Sequence, residues 1–284
     1  MAIVLLYLVS VGVWVLLLRG EAENDPQHND IAVSEDPIRA EVLVDDEEEE
    51  LPEPKAVFDD VNLQSVLDSW AAGVGDKASV TLADEEGNVL ASVNKDRVYF
   101  AASVYKLYVA YYGYGQVDAG AVDPKEQYIN GHTRVECLDL MIRESDSPCA
   151  EKLWAELGKT NLTEQLQQIG INNTSMTNIN TTSYDAAVML ARISRGEGLS
   201  EQSRDAFLNS AGNQIYRDAL NKGFSDQLIV YNKIGFRELD EYHDVAIVEL
   251  VDDGRKFILS VLTDGVGTKS IASLGTQIES IILD

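Results

Sequence analysis

A serine and a lysine three residues apart, Ser103 and Lys106, open a segment with the periodicity of a helix. Side chains at this spacing lie on the same helix face, so the hydroxyl and the amine can meet. A lysine that is partly removed from water gives up its proton more easily and can then accept one from the serine. Free backbone N–H groups at a helix N-terminus would stabilise a developing oxyanion. The spacing alone is a weak signal, because it also occurs on solvated helix surfaces.

Two more segments carry the same kinds of side chain. The sequence S-D-S at residues 145–147 stands between two helical patterns, and Pro148 follows it. A serine or aspartate just before a proline is also typical of an ordinary helix N-cap. The sequence K-I-G at residues 233–235 stands at the end of a strand-like segment. Each motif on its own therefore has a purely structural explanation.

Together the three motifs resemble, in order, spacing and context, the S-x-x-K, S-D-N and K-T-G set of class A β-lactamases and penicillin-binding proteins. The same resemblance extends over FAASVYKL, CLDLMIRESDSPCAEKL and NKIGFRELDEYHDVAIVELVDDGRKFILSVLTDG, and it covers residues from about 60 to 284. It implies a mixed α/β (α+β) fold, in which an antiparallel five-stranded sheet is flanked by helices and carries an inserted all-helical subdomain. It also implies a serine hydrolase that acts on β-lactams or related amides without a cofactor.

Under this resemblance, four residues carry the catalysis. Ser103 would be the acylated nucleophile and Lys106 its general base or proton relay. Ser145 would pass the proton to the leaving nitrogen. Lys233 would lower the pKa of Ser145 and attract a substrate carboxylate.

The remaining motif residues would contact the substrate. The backbone N–H groups of Ser103 and Phe236 would form the oxyanion hole, and Gly235 would let the substrate approach the strand closely. Ile234 replaces the family's threonine, so a hydroxyl that would bond a substrate carboxylate is lost. Ser147 replaces the family's asparagine, which keeps a hydroxyl and loses the amide.

The glutamate that activates the deacylating water in class A β-lactamases has no evident counterpart. The segment after Gly170 reads INNTSMTNINTTSYDAAVML and contains no glutamate. We therefore expect a shortened loop and slow release of an acyl-enzyme. Asp185 is the nearest acid after this segment, and its position at the start of a helix predicts a capping role. Glu144, before the second motif, is expected to face solvent.

Two other functions remain open. A cell-wall peptidase related to D-alanyl-D-alanine carboxypeptidases would share the acylation residues and would not need the loop glutamate. A non-catalytic binding module on the same fold is the third possibility, and the four intact motif residues argue against it. The sequence does not distinguish the β-lactamase-like hydrolase from the cell-wall peptidase.

The elements that position these motifs can be predicted from periodicity and turn residues. Helical spacing occupies residues 62–72 and 271–283, and helical patterns fill most of residues 101–210. Strand-like segments lie at 78–83, 89–93, 228–233, 245–251 and 257–263. Both ends of the chain are therefore predicted to build one antiparallel sheet, with a helical subdomain beside it.

Cys137 and Cys149 flank the second motif. They are either buried free thiols or, in an oxidising compartment, a disulfide that would hold the loop carrying Ser145. The sequence has no CxxC pair and no Cys/His cluster, so we expect no metal site.

Charge is concentrated near the N-terminus. The chain has 22 Lys and Arg against 48 Asp and Glu, and this net charge of −26 argues against nucleic acid as a partner. Residues 21–60 hold 16 of the acids against Arg39 and Lys55. Such a block repels itself and cannot bury enough apolar surface to fold. Residues 19–57 are therefore predicted to be a solvated stalk, with a tail for cations or a basic partner as the alternative.

Residues 1–18 contain no charged side chain and are predicted to be a transmembrane signal anchor. A cleaved signal peptide and a buried helix are the alternatives. Arg19, on the stalk side, would favour the opposite orientation, so the extracytoplasmic placement of the catalytic domain at 58–284 rests on the family resemblance. The expected partners are the membrane through residues 1–18 and a small β-lactam or peptidoglycan peptide.

Overall fold

The computed structural model of the chain describes residues 58, 60–237 and 241–283. The predicted anchor at 1–18 and the predicted stalk at 19–57 lie outside these residues. Among the helices of the described part, none has the length and apolar character needed to cross a bilayer.

Strands at both ends of the described chain enclose a mainly helical middle. The strands are β1 (Ala78–Asp84), β2 (Val89–Val93), β3 (Tyr99–Phe100), β4 (Gln127–Ile129), β5 (His132–Thr133), β6 (Asn180–Thr181), β7 (Leu228–Arg237), β8 (Glu241–Leu250) and β9 (Lys256–Asp264). The helices are α1 (Asp60–Val74), α2 (Tyr105–Asp118), α3 (Arg134–Arg143), α4 (Ser147–Leu157), α5 (Lys159–Gln168), α6 (Ser183–Ser194), α7 (Glu201–Gly212), α8 (Leu220–Gly223) and α9 (Thr268–Ile282).

The main sheet has five strands in the order β2-β1-β9-β8-β7, and every neighbouring pair is antiparallel. The N-terminal strand β1 pairs along its full length with β9, from Ala78 opposite Thr263 to Asp84 opposite Phe257. The predicted fold class, an antiparallel sheet with an inserted helical subdomain, is confirmed.

Each face of the sheet contributes to a separate apolar cluster. Successive side chains of a strand point to opposite faces. On β8, Ile247 packs into the cluster formed with the helical middle, and the next residue, Val248, packs into the cluster that contains Leu63 of α1 and Leu274 of α9. The sheet is therefore covered on both faces, as helix-flanked sheets require.

Strands β7 and β8 are longer than their apolar patterns predict. The strand expected to end at Lys233 continues to Arg237, because β8 begins at Glu241 and its residues up to Val245 pair with Lys233–Arg237. Polar residues at the start of β8 break the apolar pattern, although His243 and Asp244 are both fully buried. The K-I-G motif therefore lies within a paired strand, close to its C-terminal end.

Helix α2 is buried on nearly all sides, which is expected for a helix that is apolar all round. Its Gly113 allows close packing against the neighbouring helices. A methyl group at this position would lie 2.6 Å from Leu153 Cδ2 and 2.7 Å from Leu138 Cδ2. The helix that carries Lys106 is thus fixed at the centre of the helical subdomain.

Candidate active site

Ser103 lies in a short 3-10 turn, Ala102–Val104, that runs directly into α2. Ala102 has a φ of 43°, a left-handed conformation that costs energy for a residue with a Cβ. Val104 N donates to the Ala101 carbonyl at 3.0 Å and closes the turn. The nucleophile predicted from the sequence therefore stands at a strained junction between β3 and α2.

Lys106 is fully buried one helical turn further on. Its Nζ donates to the backbone carbonyl of Ser145, to Ser145 Oγ at 3.3 Å and to Ser147 Oγ at 3.2 Å. Burial lowers the pKa of Lys106 to about 8, and the carboxylates of Asp146 and Glu151 oppose this shift. A substantial fraction of this amine is therefore neutral near physiological pH.

Ser145 is held in an unusual backbone conformation between α3 and α4, with a φ of 59°. The next residue, Asp146, caps α4 by accepting a hydrogen bond from Cys149 N at 2.8 Å. A disulfide joins Cys137 of α3 to Cys149 of α4, with the two Cα atoms 5.1 Å apart. The cap and the disulfide together fix the turn that presents Ser145 Oγ.

Lys233 approaches Ser145 from the sheet. Its Nζ donates to Ser145 Oγ at 3.0 Å and to the Ile234 carbonyl at 2.8 Å. Burial lowers the pKa of Lys233 well below its usual value, the charge of Lys106 lowers it further, and Asp244 opposes the shift. Two amines from distant parts of the chain thus converge on one serine hydroxyl.

Gly235 brings β7 against the turn that carries Ser103. A methyl group at this position would lie 2.9 Å from the Ala101 carbonyl oxygen, 3.0 Å from Val104 N and 3.1 Å from Ser103 N. Only a glycine therefore permits this close approach without movement of the backbone. The next residue, Phe236, is 47% exposed.

Side-chain hydrogen bonds connect most of the predicted polar site residues, but not Ser103. Lys106, Ser145, Ser147 and Lys233 form one hydrogen-bonded group. Ser103 is brought beside β7 through its backbone, and its Oγ makes no hydrogen bond to any residue of the described part. Within that part, no three His, Cys, Asp or Glu side chains are grouped so that they could hold a metal ion.

A sequence model of the beta-lactamase enzyme family matches residues 62–284. The chain belongs to this family. The family predicted from the three motifs is thereby confirmed. No curated protein sequence matches the chain.

Solved structures of the beta-lactamase fold are similar to this family member over most of the described domain. PBP-A is 21% identical in sequence and superposes with a TM-score of 0.68. The match covers 78% of this chain and 95% of the PBP-A chain. A beta-lactamase from Xanthomonas campestris pv. campestris shares 19% identity and a TM-score of 0.72, covering 80% and 100%. An ancestral class A beta-lactamase shares 19% identity and a TM-score of 0.70, covering 77% and 99%. At these identities the similarity establishes the fold.

The loop between α5 and α6 of this beta-lactamase-family chain carries no acid between residues 169 and 184. Asp185, expected to cap α6, has a different role, because Thr182 is the cap and accepts a hydrogen bond from Asp185 N at 3.0 Å. The Asp185 carboxylate instead accepts from Asn173 N at 2.7 Å and from Thr174 Oγ1 at 2.8 Å. Burial raises its pKa. Asp185 therefore holds the loop in place.

Glu144 is exposed, as expected, and its carboxylate pairs with Arg143 Nη1 at 2.6 Å.

Two buried residues next to the K-I-G motif were not predicted from the sequence. Asn232 Nδ2 donates to Asp244 Oδ1 at 2.8 Å, and Leu220 N donates to Asp244 Oδ2 at 2.9 Å. Burial raises the pKa of Asp244 to about 6, against the effect of these hydrogen bonds and of Lys233. The available signal was an acid inside a strand pattern, which indicates a partnered buried group.

Proposed function

We propose that this protein is a serine hydrolase that forms an acyl-enzyme on Ser103 with β-lactams or related amides and releases it slowly. The observation that carries the proposal is the convergence of Lys106 and Lys233 on Ser145 Oγ, at 3.3 and 3.0 Å, beside the turn that contains Ser103. Side chains from three distant segments have no structural need to meet in this way, and burying two amines together has a desolvation cost that folding alone does not require.

In the acylation step, neutral Lys106 removes the proton from Ser103 Oγ as the oxygen attacks the substrate carbonyl carbon. The pKa of about 8 suits this role, because a general base works best when its pKa lies near the operating pH. The backbone N–H groups of Ser103 and Phe236 donate hydrogen bonds that stabilise the negative charge developing on the carbonyl oxygen. The close approach of Gly235 to the turn supports this arrangement.

Collapse of the tetrahedral intermediate breaks the carbon–nitrogen bond, and the leaving nitrogen needs a proton. Ser145 donates its hydroxyl proton to this nitrogen and is reprotonated by the ammonium of Lys106. The proton first taken from Ser103 therefore ends on Ser145, and Lys106 returns to its neutral form. Lys233 supports the transfer through its hydrogen bond to Ser145 Oγ. A substrate carboxylate beside Lys233 would favour its charged form.

Deacylation is the slow step in this proposal. A water molecule must be activated, and residues 169–184 offer no carboxylate. The Asp185 carboxylate is buried and accepts hydrogen bonds from the loop, and the Glu144 carboxylate is exposed and paired with Arg143. An acyl-enzyme complex of a PBP-A mutant with penicillin G is among the similar structures, at 22% identity and a TM-score of 0.69. That complex supports the proposal that a protein of this fold can be acylated by a penicillin.

A peptidase of the D-alanyl-D-alanine carboxypeptidase type is the second candidate, and the loop without an acid is the observation that favours it. Release of D-alanine from a peptide ending in D-alanyl-D-alanine, measured beside β-lactam acylation, separates the two. A non-catalytic binding module remains only if neither substrate acylates Ser103.

We further propose that the domain acts outside the cytoplasm, anchored through residues 1–18. The disulfide between Cys137 and Cys149 supports an oxidising compartment. Fractionation of cells, with accessibility of the domain to added protease, tests this placement.

Labelling with a fluorescent penicillin tests the proposed reaction. Wild type should be labelled, Ser103→Ala should not, and Ser65→Ala, an exposed serine on α1, should behave as wild type. Labelling of Ser103→Ala at the wild-type rate would place the acyl group elsewhere and overturn the proposal.

A further inference from the structure

One peptide unit just before Ser103 is held from both sides. The carbonyl oxygen of Phe100 lies 2.8 Å from His243 Nε2, and Ala101 N donates to the Ile179 carbonyl at 2.6 Å. The two bonded atoms belong to the same planar peptide group. The group immediately precedes Ala102, whose left-handed backbone starts the turn. The position of Ser103 therefore depends on how firmly this unit is fixed.

His243 has a defined tautomer in this arrangement. Its Nδ1 accepts a hydrogen bond from Thr263 N at 3.1 Å, so the ring proton lies on Nε2 and is donated to Phe100. The side chain is fully buried, and the ring of Tyr99 packs edge-on against it with centroids 5.9 Å apart. Both ring nitrogens are thus satisfied inside the sheet.

The main sheet supports the turn at two adjacent points. His243 on β8 lies directly opposite Gly235 on β7. Gly235 contacts the turn through the backbone near Ser103 N, and His243 holds the chain three residues earlier. On the other side, the loop contributes Ile179, itself a β-branched residue with a φ of 55°. Strained backbone of this kind persists only where its surroundings enforce it.

We infer that His243 is a positioning residue for the reaction. It fixes the Phe100–Ala101 peptide, and through it the Ser103 hydroxyl and N–H group, in the geometry needed for attack. This role rests on the proposed acylation of Ser103, although His243 itself does not touch the substrate. A buried histidine that only filled space would support stability without affecting the rate of the chemical step.

Two variants of the full-length protein separate these roles. His243→Gln keeps an N–H donor that can reach the Phe100 carbonyl, and His243→Leu removes it. Leu274→Ala is the control, because it weakens the apolar cluster on the opposite face of the sheet. For each protein we would measure the melting temperature, the affinity for penicillin G before acylation, and the first-order rate constant of acylation.

His243→Leu should lower the acylation rate constant between about ten- and a hundredfold, because a displacement of about 1 Å can cost this much. Its affinity for penicillin G should change little, and His243→Gln should recover most of the rate. Leu274→Ala should lower the melting temperature and leave the rate constant unchanged. An unchanged rate constant in His243→Leu, or no recovery in His243→Gln, would overturn the inference.

Amide hydrogen exchange of residues 100–106 tests the inference without relying on the reaction. His243→Leu should speed exchange in this segment more than Leu274→Ala does. If wild type forms no adduct, the proposed function fails, and the exchange result still decides whether His243 fixes the turn. Equal exchange in wild type and His243→Leu would show that it does not.

Discussion

Among single residues, Lys106 is expected to control the proposed acylation through its protonation state. Because burial lowers the pKa of Lys106 to about 8, the amine is mostly charged below that pH and cannot accept the Ser103 proton. The acylation rate should therefore rise with pH and level off above about pH 8. Stopped-flow measurement with a fluorescent penicillin provides the profile, and thermal melts over the same range exclude unfolding. A rate that falls as the pH rises would contradict Lys106 as the base.

Gly235 is a second sensitive position. Gly235→Ala would place a methyl group against backbone atoms of the turn, the nearest at 2.9 Å, and backbone cannot move aside as a flexible side chain can. We expect acylation to slow at least about tenfold, because the turn and β7 must move apart. This movement separates the two proposed oxyanion-hole N–H groups, one on the turn at Ser103 and one on β7 at Phe236. Gly115→Ala is the matched control, since nothing lies within 4 Å of its added methyl group. Equal rates in both variants would show that the contact between β7 and the turn is unimportant.

Among the secondary-structure elements, helices α3 and α4 are joined by a disulfide that should stabilise the fold. The disulfide between Cys137 and Cys149 closes a loop with a sequence separation of 12 residues. Chain entropy predicts a contribution of about 3 kcal/mol to the free energy of unfolding for a loop of this size. Replacing both cysteines by serine should therefore shift the denaturant midpoint downward by a corresponding amount. A midpoint unaffected both by this replacement and by reduction of wild type would contradict the contribution.

Some elements were predictable because their residues leave a clear period in the sequence. The strand at Ala78–Asp84 and the final helix at Thr268–Ile282 were predicted within a few residues, since each has a regular apolar pattern. The start of β8 was missed, because His243 and Asp244 are polar and are stabilised by hydrogen-bond partners that lie outside this strand. A pattern of residue types does not contain those partners.

The same distinction applies to the candidate site. Lys106, Ser145 and Lys233 stood out because their types and order match a known set of motifs. The role of Asp185 could not be predicted in this way. Its acceptance of hydrogen bonds from Asn173 and Thr174 depends on how the loop folds back, and a helix cap explained the same residue equally well from the sequence alone.

For the molecule as a whole, we expect the described domain to fold and react without the residues that precede it. Both apolar clusters and all the motif residues lie between Phe58 and Ile282. A chain beginning at Lys55 should therefore match the full chain in melting temperature and in acylation rate. A chain beginning at Gly75 should fail to fold, because it lacks Phe58 and helix α1, which pack against the sheet. Loss of folding in the first truncation would show that the preceding residues complete the domain.

Covalent acylation with slow release is the central claim, and time-resolved mass spectrometry of the intact protein with penicillin G tests it most directly. The protein should gain the mass of one penicillin G molecule, peptide mapping should place it on Ser103, and Ser103→Ala should gain none. Because a general base typically contributes about 10²–10⁴-fold, its absence from the loop should slow hydrolysis by a comparable factor, and the adduct should persist after excess penicillin is removed. Rapid turnover of penicillin G without a detectable adduct, or no reaction at all, would contradict the account.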